Sequence, residues 1–408
     1  MELENTIRSY LERERPRQEA FLAELVRVPS DNPAGDCAAH ADRAAELIEA
    51  LGFEVERHKV PDELVRRNGM ISATNLVVRR RFGDGPVIAL NAHGDVVPPG
   101  EGWTRDPYGA DVVNGWMYGR GVAVSKSDFA TYVWALLALE AAGAPLAGTV
   151  ELHLTYDEEA GGEIGPGYLL SEGISKPDYA IAAGFSYAVV NAHNGCLHLE
   201  VEVNGRSAHA ARPHTGVDAL EATTAILSAL YAWRQGLAER ASAIPGIGSP
   251  QMTVGLIHGG INTNVVPDRI TFRLDRRLIP EENGEAAEAE LREVIAEAAA
   301  GFPEAKVAVR RILLAEPLVP LPGSERLSGA LTARAQEVLG TEVETAGVPL
   351  YTDARHYAAH RVPIVLYGAG PRTIEEANAH RADERLKLSD LHAATTIVAL
   401  ALADLLSA

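Results

Sequence analysis

Along the chain, helical and strand periodicities alternate. Over residues 3–28 the apolar positions recur at helical spacing, and the run stops at the turn-forming Pro29-Ser30-Asp31-Asn32-Pro33. Residues 38–51 repeat the helical pattern up to Gly52, and Phe53-Glu54-Val55-Glu56-Arg57 alternates with period two, as a strand does. Further strands are predicted over 75–79, 86–90 and 150–155, with a helix over 127–141. Strands alternating with helices predict an α/β layered domain.

Near residue 192 the pattern changes. His198-Leu199-Glu200-Val201-Glu202-Val203 alternates strictly, which predicts an antiparallel-type strand with one wet face. A helix over 217–237, strands over 252–258 and 269–274, a helix over 284–300 and a strand over 306–313 follow. That β-α-β-β-α-β order is the ferredoxin-like split βαβ unit. After Pro317 the α/β texture resumes with a helix over 324–339, a buried strand over 364–367 and a closing helix over 388–406. The expected division is therefore a large domain in two parts, 1–192 and 315–408, with 193–314 inserted. Residues 236–248, rich in Ala, Ser, Pro and Gly, read as a mobile loop.

Composition narrows the class. With 47% apolar and 23% charged residues the chain is that of an ordinary folded protein, which excludes general disorder. The formal charge of -19 argues against a nucleic-acid or anionic-membrane partner. Two cysteines, Cys37 and Cys196, make neither a disulfide framework nor a four-cysteine zinc site, which suits a reducing cytoplasm. The first residues lack a signal-like apolar core and no apolar run approaches a membrane span, so the expectation is a cytoplasmic protein without a membrane partner.

Candidate chemistry gathers at strand ends. His93 and Asp95 follow the strand over 86–90 and lie two apart on one side of it, which suits either a structural contact or a metal ligand oriented by a carboxylate. Asp157-Glu158-Glu159 follows the strand over 150–155 and precedes Gly161-Gly162. Three adjacent acids are either a solvated turn or a ligand beside a general base. Ser207-Ala208-His209 and Asn378-Ala379-His380, with Asp383-Glu384, are further polar sites, and Gly119-Arg120-Gly121 could cradle an anion at a helix start.

Taken in order, these blocks resemble a known family. Ala92-His93-Gly94-Asp95-Val96-Val97-Pro98, Gly102-Trp103, Asp106-Pro107, Tyr118-Gly119-Arg120-Gly121, Asp157-Glu158-Glu159 with Gly161-Gly162, Gly205 with His209 and Pro213, Gly259-Gly260 with Asn264-Val265-Val266-Pro267, Asp275 with Arg277, Thr352-Asp353-Ala354-Arg355 and Ala379-His380 with Asp383-Glu384 are similar to the co-catalytic metallopeptidases that include acetylornithine deacetylase, succinyl-diaminopimelate desuccinylase, aminoacylase and glutamate carboxypeptidase. The resemblance implies a zinc-exopeptidase type catalytic domain carrying an inserted ferredoxin-like lid and dimerisation domain, hence a homodimer. It implies hydrolysis of an amide bond in an N-acyl amino acid or small peptide bearing a carboxylate. By the same resemblance, His93 ligates a first metal and Asp95 orients it, Glu159 and His380 ligate a second, and Glu158 is the general base. His209 steadies the oxyanion across the dimer, while Asn264 and Arg277 hold the substrate carboxylate.

Two positions depart from the family pattern. Where a metal-bridging Asp is expected this chain has Val124, and where a second acid is expected it has Phe185. Asp128, four residues after Val124, either compensates from one helical turn away or is a helix-start acid. The count predicts at most one tightly held divalent metal, zinc or else cobalt or manganese, near Glu159 and His380. Two other readings stand beside this one: a hydrolase without a metal pair, using Glu158, His209 and Lys126 or Ser125, and a non-catalytic binding member of the family.

Overall fold

The computed structural model describes residues 2–143 and 145–407. Two compact units form: Met1–Asn191 with Pro320–Ala346 and Thr352–Ala408, and Ala192–Val319 with Gly347–Tyr351.

The first unit is built on an eight-stranded mixed sheet in the order Glu56–Lys59, Thr74–Arg81, Thr149–Thr155, Val87–His93, Tyr179–Ala182, Ile364–Leu366, Ala188–His193, Glu344–Val348. Val87–His93 runs parallel to both of its neighbours, and its burial on both faces matches its near-continuous apolar sequence. Helix Lys126–Ala142 packs against Glu2–Val26 and Leu388–Leu405. It has no polar face, being apolar nearly all round, and so is enclosed on every side.

The second unit is a four-stranded antiparallel sheet in the order Gln251–Gly259, Arg269–Leu278, Gly195–Asn204, Lys306–Ala315, with helices Ala219–Gln235 and Gly284–Ala299. That is the ferredoxin-like arrangement. Leu197, Leu199, Val201 and Val203 point into its core with the helices, so the alternate residues Cys196, His198, Glu200 and Glu202 share the opposite face.

Several expectations need correction. The strand expected over 53–57 begins at Glu56 and pairs through Lys59 with Thr74–Val77, while Phe53 and Val55 are buried without joining a ladder. The stretch over 236–248 is anchored: Leu237 and Ile247 are buried, and Glu281 accepts from Ser242 Oγ and the Ala243 N–H. Helix Leu388–Leu405, with 18 residues, is by length and composition apolar enough to cross a membrane, contrary to the sequence reading, and its apolar surface is mostly buried against the helices around it.

Candidate metal and hydrolytic site

Parallel pairing creates the site. His93 lies opposite Thr155, so the segments leaving these two strands, His93-Gly94-Asp95 and Asp157-Glu158-Glu159, emerge side by side at the carboxyl ends of the strands. The Gly94 N–H donates to Thr155 O at 2.8 Å, and a Cβ at Gly94 would come within 2.5 Å of the Tyr156 ring, so only glycine permits this approach.

Asp95, wholly buried, joins the two segments. Its Oδ1 accepts the Glu158 N–H at 3.2 Å and its Oδ2 accepts the Glu159 N–H at 3.1 Å and Asn32 Nδ2 at 3.0 Å. His93 Nδ1 lies 3.0 Å from Asp95 O and 3.4 Å from Asp95 Oδ1, leaving Nε2 facing Glu158 Oε2 at 3.9 Å. Asp95 thus sets the direction of His93 and of the acidic turn together.

The donor atoms of His93, Glu158 and Glu159 lie within 4.8 Å of one another. His380 Nε2 stands 3.2 Å from Glu159 Oε1, a buried atom that makes no hydrogen bond of ordinary geometry. His380 adopts φ 61, a left-handed conformation costly for a side chain of this size, and the residues that follow it are anchored. Asp383 accepts from Thr104 N and Oγ1 at 2.9 and 2.8 Å, and Glu384 pairs with Arg120 Nη1 at 2.6 Å with both side chains buried.

Burial above all, opposed by His93 and reinforced by Glu159, Asp95 and Asp157, pushes the Glu158 carboxyl up to about 8. Burial disfavours the His93 imidazolium, yet Glu158, Asp95 and Glu159 together hold it well above the usual histidine range. The close Glu159 carboxylate likewise raises His380. Beneath the turn lie Asp157 and Asp353, both buried and both pushed well above the usual carboxylate range, by burial first and then by neighbouring acids. Acids crowded around imidazoles, with one carboxylate oxygen unpartnered, fit a single divalent cation.

Neither position at which an acid for a second cation was expected carries a carboxylate. Val124 is half-buried, with its N–H given to Glu384 Oε1 at 3.2 Å, and Phe185 sits in an isolated bridge with Gly370. Asp128 does not stand in for them. The helix starts at Lys126, so Val124 precedes it and the one-turn relation fails, and Asp128 Oδ1 accepts the Ala369 N–H at 2.7 Å.

Two other sequence readings resolve differently. The cradle around Gly119-Arg120-Gly121 holds an internal anion, since Glu384 Oε1 accepts from the Ala123 and Val124 N–H groups and Oε2 from Arg120. Lys126 Nζ donates to Leu25 O and Val28 O at 3.2 and 2.9 Å, capping the end of the first helix, with burial lowering its pKa to about 7. Ser125 Oγ bonds the His93 backbone.

The residues expected to meet substrate lie in the second unit. His209 and Asn264 are exposed and adjacent, joined by the Ala210 N–H to Asn264 O bond at 3.0 Å and a bridge between His209 and Val265. Arg277 donates from Nε and Nη2 to both oxygens of Asp275 at 3.0–3.2 Å, leaving Nη1 outside that pair. Asn32, Asp353 and the Arg120–Glu384 pair went unassigned in the sequence because each acts through a partner distant along the chain.

The model of peptidase family M20/M25/M40 matches residues 89–404. A succinyl-diaminopimelate desuccinylase of Rhodospirillum centenum is 28% identical over 398 residues, covering 93% of this chain and 94% of that protein. An acetylornithine deacetylase of Pectobacterium atrosepticum is 31% identical over 340 residues, covering 82% of each chain. The solved structure of an M20 family metallo-carboxypeptidase from Sulfolobus solfataricus shares the fold at TM-score 0.77 and 18% identity, over 94% of this chain and 98% of that one.

Proposed function

Since the chain belongs to peptidase family M20/M25/M40, we propose that it hydrolyses the amide bond of an N-acyl amino acid or small peptide with Glu158 as general base. The observation that carries this is the meeting of His93, Glu158 and Glu159, organised by Asp95 at the carboxyl ends of the parallel strands, with His380 facing Glu159. A carboxyl pushed up to about 8 is well matched to taking a proton from water near neutral pH and returning it to the leaving amine. A divalent cation held by Glu159 and His380 and faced by His93, zinc or else cobalt or manganese, would supply Lewis-acid polarisation of the scissile carbonyl. One such cation per chain is the proposed complement, because Val124 and Phe185 bring no carboxylate.

In this reading residues 1–192 and 315–408 are catalytic and 193–314 are the lid and dimerisation domain. His209 steadies the oxyanion, and Asn264 with the outer edge of Arg277 holds the substrate carboxylate by the two-pronged geometry of a guanidinium. A cytoplasmic homodimer is part of the proposal. Its support is the edge strand Gln251–Gly259, on which Leu256 and Ile257 are each 49% exposed. The metal-free alternative loses support because Lys126 and Ser125 are committed to backbone groups.

The test is a screen of N-succinyl and N-acetyl amino acids and dipeptides on chelator-treated protein, with and without zinc, cobalt or manganese, alongside elemental analysis. Turnover of one class restored by a single cation at the group around Glu158 is expected. Turnover indifferent to chelation would overturn the metal part, and no turnover on any substrate would leave a binding protein.

A further inference from the structure

A second group of ligand-type side chains, one of them the buried Cys196, lies on the face of the second unit's sheet opposite its helices. Cys196 and His198 are two apart on Gly195–Asn204, and in the antiparallel register His198 faces Asp275 while Cys196 faces Arg277. Period-two alternation therefore puts all four side chains on one face. Cys196 Sγ lies 3.1 Å from His198 Nε2 and 3.7 Å from Asp275 Oδ1, and His198 Nε2 lies 3.2 Å from Asp275 Oδ2.

A catalytic relay of thiol, imidazole and carboxylate uses opposite ring nitrogens for its two partners. Here sulfur and carboxylate both meet Nε2, which offers only one lone pair or one N–H, and the thiol also reaches Asp275 Oδ1, so the three groups face one another rather than forming a chain. Convergence on one point is instead the pattern of metal ligands. Tetrahedral zinc with bonds of about 2.3 Å to sulfur and about 2.0–2.1 Å to nitrogen and oxygen separates its donors by roughly 3.3–3.6 Å. The 3.1 Å between Cys196 Sγ and His198 Nε2 and the 3.2 Å between His198 Nε2 and Asp275 Oδ2 need shifts of only a few tenths of an ångström, while the sulfur's 3.7 Å contact is with the other carboxylate oxygen, Oδ1.

Charge and access agree with this. On binding, a divalent cation would displace the thiol proton of Cys196, and the thiolate with the Asp275 carboxylate would offer it two negative charges beside the Arg277 guanidinium. The His198 and Asp275 side chains are 35% and 32% exposed, which gives the cation a path and leaves a fourth position to water. We propose that Cys196, His198 and Asp275 form a site for a thiophilic divalent cation of the zinc class, with Arg277 as the outer partner of Asp275. Bound there, the cation fixes Asp275 and through it the orientation of Arg277. The site is separate from the one around Glu158 and does not rest on the hydrolytic reading.

Cobalt titration of the full-length, chelator-stripped protein tests this, because only a thiolate ligand produces the near-ultraviolet sulfur-to-cobalt charge-transfer band. The ligand group around Glu158 contains no sulfur, so cobalt bound there gives no such band. The expected result is a band saturating at one cobalt per chain, lost in Cys196→Ser and in His198→Ala and kept in Glu159→Ala and Cys37→Ser. Circular dichroism confirms folding, and Asp275→Asn supplies a weaker-binding variant should Cys196→Ser misfold. Absence of the band in the native chain, or its survival in Cys196→Ser, overturns the proposal.

Discussion

Replacing Glu158 by Gln keeps the side chain's size and removes its charge, and it should move activity and stability in opposite directions. The folded carboxyl is pushed up to about 8 from the ordinary 4.5, by burial first. At about 1.36 kcal/mol per pKa unit this sets a ceiling of roughly 5 kcal/mol on the strain of the ionised form. The side chain retains 18% exposure, so water screens part of this and about 2 kcal/mol is the working figure. A folded pKa above the unfolded one means that the native state binds more protons between the two values. Stability contributed by this group is thus complete below about 4.5 and is lost as pH rises through about 8. Chelator-stripped Glu158→Gln should therefore melt close to the parent near pH 4 and several degrees above it near pH 8.5. Metal-loaded, the same variant should lose about a hundred- to ten-thousand-fold in kcat, the usual contribution of a general base. Paired thermal melts and steady-state kinetics check both halves. A variant less stable than the parent at pH 8.5 would show that the carboxylate is satisfied where it sits, and undiminished turnover would place the base elsewhere.

The missing acids can be restored. Val124→Asp with Phe185→Glu should raise bound metal from at most one towards two per chain at the site around Glu158, read by elemental analysis in a Cys196→Ser background; two metals already present in that background would refute the ligand count. Glu384→Ala strands the buried Arg120 guanidinium and should cost about 3–5 kcal/mol in denaturant unfolding, with weaker cation retention as the His380 loop loses its anchor. A loss under 1 kcal/mol would mean that water enters and rescues Arg120.

Local periodicity carried much of the fold because it records which face of each element meets a core. The helix expected over 324–339 is Ser324–Leu339, and the strict alternation at His198–Val203 lies in the central strand pair of an antiparallel sheet. The ferredoxin-like order was legible because its six elements are contiguous in the chain. Polar groups satisfied by distant partners were not legible. Glu384, singled out in the sequence only as one of the polar residues after His380, fills the cradle formed by Arg120, Ala123 and Val124. Asp128, readable either as a compensating ligand or as a helix-start acid, lies in the first turn of the helix that starts at Lys126 and accepts the Ala369 N–H from far along the chain.

The sequence by itself determined the residue types available for chemistry and the strand ends at which they sit. Only tertiary structure decided which of them meet. Parallel register sets His93 beside Thr155 and so brings Glu158 and Glu159 to His93, while antiparallel register sets His198 against Asp275. Register is fixed by the burial of whole strands on both sheets, a property of pairing between segments far apart in the chain, and a single residue of slip would turn every one of these side chains to the opposite face.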